Sequence, residues 1–89
     1  MAFVPYMAIY DNDNKEVEIT HSLNEPTIVH IEKPDPIFCF KEAEIELPHI
    51  TIKKRFGFTD EEMSDLVYFC RNNSDDIQKY SKLGGVQNA

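Results

Sequence analysis

Apolar residues recur at helical spacing in only one stretch of this chain, residues 58–83. Met63, Leu66, Val67 and Cys70 follow the i, i+3, i+4, i+7 rule and predict one buried stripe, which Phe69 widens. Thr59 stands where an N-cap belongs, and Glu62, three residues on, completes a capping box. Phe58 and Met63 occupy the hydrophobic-staple positions, and Gly57 lets the chain turn ahead of them. Residues 71–74, Arg-Asn-Asn-Ser, interrupt the stripe. Asn72 or Asn73 suits a helix end and Ser74 suits a new N-cap, so the pattern predicts two helices, with one kinked helix as the alternative. In the second piece Ile77, Tyr80 and Leu83 are expected to face inward, and Gly84-Gly85 to stop it.

Ahead of the helices the period falls from 3.6 to 2. Residues 3–10 read as a strand that Pro5 pushes towards a sheet edge or a bulge. Residues 11–14, Asp-Asn-Asp-Asn, form a turn, and Val17 and Ile19 then alternate with Glu16, Glu18 and Thr20. A four-residue loop would set Ala8 opposite Val17 and Tyr6 opposite Ile19. Asp11 and Asp13 match the first ligands of a calcium loop, but Lys15, Glu16 and Ser22 stand where the later ligands and glycine should be, which favours the turn. Residues 27–32 form a strand with Thr27, Val29 and Ile31 on one face and Ile28, His30 and Glu32 on the other. Lys33-Pro34-Asp35-Pro36 should end it, and residues 37–40, wholly apolar, read as a short covered strand. Finally Ala43, Ile45 and Leu47 alternate with Glu42, Glu44 and Glu46. A four-residue loop over residues 47–50 then pairs Ile45 with Ile52, Glu44 with Lys53 and Glu42 with Arg55. The expected fold is α+β: an antiparallel β-meander of about five strands, one face covered by the C-terminal helices. It forms a single domain over residues 1–85, with a frayed tail at 86–89.

Composition narrows the function. Hydrophobic residues make up 42% of the 89-residue chain, enough for a modest core. No apolar run approaches the roughly 20 residues needed to span a bilayer. Sixteen acidic against nine basic residues leave a net charge of −7, which opposes direct binding to nucleic acid. Cys39 and Cys70 both lie among apolar residues and read as buried thiols in a reducing cytoplasm.

Residues 24–33, NEPTIVHIEK, resemble a motif of the small bacterial proteins grouped as domain-of-unknown-function family 4160. Asn24, Glu25, Pro26, Val29, His30, Glu32 and Lys33 fit that pattern; residues 3–10 resemble its opening strand and residues 59–83 its helical end. Ile28 departs from it, standing where the family carries the first histidine of a His-x-His pair, and the segment before Asn24 is longer. The resemblance implies a small cytoplasmic bacterial protein associated with toxin–antitoxin-like operons. It supplies no established activity.

Three functions follow as expectations. The first is a non-enzymatic domain that meets a protein partner, or a second copy of itself as a homodimer, through some of its surplus aromatics and through Asn24, Glu25, His30, Glu32, Lys33, Glu42, Glu44 and Glu46. No cofactor, membrane or small-molecule substrate is implied. The second is an acidic inhibitor that mimics nucleic acid, because Glu42, Glu44 and Glu46 repeat at about 7 Å, near the phosphate spacing along one strand. The third is a small metal-assisted hydrolase using His30 and Glu32, which project from one face about 7 Å apart.

Overall fold

The computed structural model describes residues 3–11, 13–23 and 25–84. Its elements are β1 (Phe3–Tyr10), β2 (Glu16–Ser22), β3 (Thr27–Asp35), β4 (Cys39–Leu47), β5 (Thr51–Phe56) and α1 (Asp60–Leu83). The strands form one antiparallel sheet in the order β1-β2-β3-β4-β5, and α1 packs across β2, β3 and β4. The expected α+β meander is therefore the observed one. Residues 86–89, read as a frayed tail, lie outside the described residues.

The two faces of the sheet are unlike because its strands alternate. Val17, Ile19, Val29, Ile31, Ala43, Ile45 and Leu47 point to one side and are buried with Met63, Leu66, Cys70 and Ile77 of the helix. The capping box at Thr59 and Glu62 is formed as expected, and Phe58 and Met63 are both buried. Gly57 adopts φ +84°, and a Cβ there would meet Lys41 Cγ at 2.9 Å, so glycine serves both the turn and the close approach.

The helix is one, not two. Asn73, expected to break it, donates its side-chain amide to the Phe69 carbonyl one turn back and accepts from the Tyr6 hydroxyl at 2.9 Å. Gln78 likewise donates to the Ser74 carbonyl and hydroxyl. The polar run thus bonds into the helix and to the sheet instead of competing with the helix for its backbone. Ser81, not Leu83, completes the inward stripe: its hydroxyl donates to the Ser22 carbonyl at 3.0 Å, while Leu83 is exposed. Gly84, at φ +89°, ends the helix as expected.

Three registers differ from those expected. The first loop holds five residues, because Asp11 accepts the amides of both Asp13 and Lys15 on one carboxylate oxygen. Val17 consequently faces Ile9 rather than Ala8, and Ile19 faces Met7 rather than Tyr6. An irregularity between Pro5 and Met7, on an edge strand as Pro5 suggested, accompanies the reach of Tyr6 to the helix. In the last hairpin Ile45 does face Ile52, but a bulge between Glu44 and Ile45 sets Lys54 opposite Glu44 and Phe56 opposite Glu42.

The third difference has the largest consequence. Residues 37–40 are not a covered strand: Ile37 is 83% exposed, and Phe38, Cys39 and Phe40 are exposed as well. β3 instead runs through Pro34 to Asp35, pairs there with Cys39, and turns over residues 36–38. Pro34 is tolerated because β2 pairs with β3 only as far as Glu18–Glu32, leaving that end of β3 an edge on the β2 side. Asp35 Oδ2 accepts the amides of Ile37 and Phe38 and fixes the turn. Cys39 is accordingly exposed, contrary to expectation, whereas Cys70 is buried and its thiol is pushed up to about 12 by that burial.

Candidate functional site

The uncovered face of the sheet carries the chemistry. Residues directly opposite one another in an antiparallel sheet share a face. Glu18, Glu32 and Glu42 therefore lie abreast across β2, β3 and β4, and Thr20, His30, Glu44 and Lys54 form the next row. Glu46 follows beside Ile28 and Thr51. Like charges directly opposite destabilise a sheet by a few tenths of a kcal/mol to about 1 kcal/mol per pair. Glu18–Glu32 and Glu32–Glu42 are two such pairs, and Lys54 Nζ, 3.0 Å from Glu42 Oε1, offsets part of their repulsion.

His30 sits at the centre. Its Nδ1 is 3.2 Å from Glu44 Oε2 and 3.8 Å from Glu42 Oε1, and its Nε2 is 3.9 Å from Glu32 Oε2. The Phe3 ring packs on the imidazole with centroids 5.3 Å apart. Strand alternation predicts that His30 and Glu32 share a face; the β3–β4 register then brings in Glu42 and Glu44. Beside the tip of that hairpin, Phe56 at the end of β5 lies 5.8 Å from Phe38 and 5.9 Å from Phe40, ring to ring, all three exposed, so part of the aromatic surplus is at the surface.

Other residues singled out from the sequence go elsewhere. Asn24 lies outside the described residues. Glu25 is exposed in the β2–β3 connection, 4.0 Å from Lys82 Nζ, and lines a groove with Glu46 and His49, away from His30. Lys33 is on the helix side: it pairs with Asp11 and lies 3.7 Å from Glu62. Lys41, directly opposite Lys33, bonds Glu62 at 3.0 Å. His21, in step with Val17 and Ile19 on β2, is fully buried; its Nδ1 meets the Ser22 carbonyl at 2.8 Å and its Nε2 has no protein partner.

The carboxyls gathered near Lys33 and Lys41 should make the fold acid-sensitive. The Lys33 ammonium, then the Lys15 amide, hold the Asp11 carboxyl below its ordinary value. Asp35 is held down chiefly by the Phe38 amide. Burial pushes Glu62 up, but the Thr59 amide and Lys41 together outweigh it and the net direction is down. A carboxyl held lower in the folded than in the unfolded chain contributes stability that is complete above the unfolded value, about 4, and is lost as pH falls through the folded one. The thermal midpoint should hold steady from about pH 7 to 5 and drop below about pH 4. Asp11→Asn should flatten the drop while lowering the midpoint at neutral pH, as thermal scans across pH would show.

No family model matches the chain, and no curated protein or solved structure gives a significant match. Among the described residues, no helix is long and apolar enough to cross a membrane.

Proposed function

We propose that the protein acts through protein contact, without catalysis of its own, by seating a basic protein surface on the open face of its sheet. The observation that carries this reading is the placement of Glu18, Glu32, Glu42 and Glu44 together on the face the helix leaves bare, with Lys54 beside them. Such a field attracts a cationic surface and repels phosphate. Phe40, Phe38 and Phe56 at its margin supply apolar contact area of the kind found at interface cores. Carboxylates repeat about 7 Å along a strand and about 5 Å between strands, which favours a partner whose basic groups otherwise meet phosphates. A role as one member of a toxin–antitoxin-like pair, which the family 4160 resemblance implies, fits this chemistry.

The experiment compares two variants that lose equal charge. One carries Gln at Glu18, Glu32, Glu42 and Glu44; the other neutralises Glu61, Asp65, Asp75 and Asp76, which are exposed on the helix. Partner capture from the cells that encode the protein, in the presence of a chelator, should be lost with the first and retained with the second. Equal retention by both rejects the reading, as does a captured partner without a basic surface.

A further inference from the structure

We propose that His30, Glu42 and Glu44 form a site for one divalent transition-metal ion of the zinc class. This goes beyond the docking reading and does not depend on it.

The imidazole, not the acidity, singles out this cluster. His30 Nδ1 points at two carboxylates at once, Glu44 at 3.2 Å and Glu42 at 3.8 Å, and the three donor atoms all lie within 4.8 Å of one another. Ligands about 2.0–2.2 Å from a tetrahedral zinc ion stand about 3.3–3.6 Å apart, so small side-chain rotations would close the set. One imidazole nitrogen and two carboxylate oxygens suit a borderline ion, whereas calcium and magnesium favour oxygen alone.

The surroundings of the ring fit the same role. A metal-bound histidine usually donates its other ring N–H to a carboxylate, which fixes the tautomer and raises the basicity of the ligating nitrogen. Here Nε2 lies 3.9 Å from Glu32 Oε2, too far for a hydrogen bond as it stands but brought within reach of one by a small side-chain rotation, and on the opposite side of the ring from Glu42 and Glu44. Phe3 packs on the imidazole and limits its rotation. His30 and Glu44 are direct cross-strand partners, and Glu42 lies two residues away along β4 on the same face, so paired backbone holds all three. Lys54, now at Glu42, is 51% exposed in its side chain and can swing into water as the cation enters. The three side chains are half-buried and keep some solvent contact, which leaves a coordination position for water or for a donor from a partner. Its ligands differ from the His30–Glu32 pair that the strand alone suggests: Glu32 orients the ring and does not bind the ion.

The test uses the isolated, chelator-stripped protein and zinc chloride alone, with calorimetry and metal analysis after dialysis. One zinc ion per chain is expected. Glu44→Gln and His30→Ala should each weaken binding at least about 100-fold, and Glu32→Gln about 10–100-fold. Glu46→Gln, on the same face but outside the set, should change it less than about 2-fold, and magnesium should not compete. In the unmutated protein, zinc should move the nitrogen resonance of His30 Nδ1, a readout that does not depend on any variant folding. Binding below one ion per chain, equal losses in His30→Ala and Glu46→Gln, or a shift at His21 or His49 instead of His30 would overturn the assignment.

Discussion

Ile45→Ala should lower the unfolding free energy by about 2–5 kcal/mol, whereas Ile52→Ala, directly across the β4–β5 ladder, should cost under about 1 kcal/mol. The two side chains are chemically identical and oppose one another in register. They differ in what covers them. Ile45 is fully buried in the cluster formed with the helix, and removing its outer carbons leaves a cavity that the surrounding side chains fill only in part. Ile52 is 47% exposed on β5 and stands outside the buried cluster, so its truncation leaves no enclosed void. A small domain has only about 5–15 kcal/mol of total stability, so the first variant should melt tens of degrees lower or fail to fold, and the second should stay near the parent. Urea titrations of both variants, analysed at constant slope, measure the contrast. Equal losses would mean that the helix covers a different part of the sheet.

The second large effect concerns association. With Glu18, Glu32, Glu42 and Glu44 changed to Gln, the rate of partner binding at low salt should fall about 10–100-fold, because electrostatic steering of that order acts through the local field. The helix-side variant changes net charge equally, so a loss of less than about 3-fold there would separate the face from the total. Added salt should narrow the difference, since the Debye length shrinks to about 10 Å at 0.1 M. The open-face variant should also remain within about 1 kcal/mol of the parent in stability, or exceed it, because it removes the like-charged pairs Glu18–Glu32 and Glu32–Glu42. Stopped-flow association and urea unfolding of the same samples give both numbers.

What the sequence reveals of this molecule depends on how local the cause is. Thr59, Glu62, Phe58 and Met63 act within two helical turns, and their spacing alone predicts the helix start that is observed. The Ala43–Ile45–Leu47 alternation likewise predicts a half-covered strand, and Ile45 does pair with Ile52. Errors arise where a side-chain partner that the apolar pattern does not show decides, near or far along the chain. Asn73 looks like a stop until Tyr6, 67 residues earlier, supplies a partner for its side-chain oxygen. Residues 37–40 are as apolar as any strand, yet Asp35 fixes a turn there that composition does not announce. That misreading also hides the site. His30, Glu32, Glu42 and Glu44 each read correctly as polar-face residues, but only the β3–β4 register, set by the turn at residues 36–38, puts both glutamates of β4 beside the imidazole. The buried His21 falls in step with Val17 and Ile19 on β2, so the alternation does place it on the covered face, but its polar ring hides that signal.

The account stands on a sheet with one sealed and one bare face, and solvent paramagnetic relaxation with a neutral gadolinium chelate tests it most directly. In the free protein, side-chain protons of Glu18 and Glu32 should relax strongly and those of the half-buried Glu42 and Glu44 to an intermediate degree, while those of Val29, Ile31, Ala43, Ile45 and Ile77 should be nearly unaffected. Strong relaxation at Ile31 and Ile45, or protection across the glutamates, would contradict it.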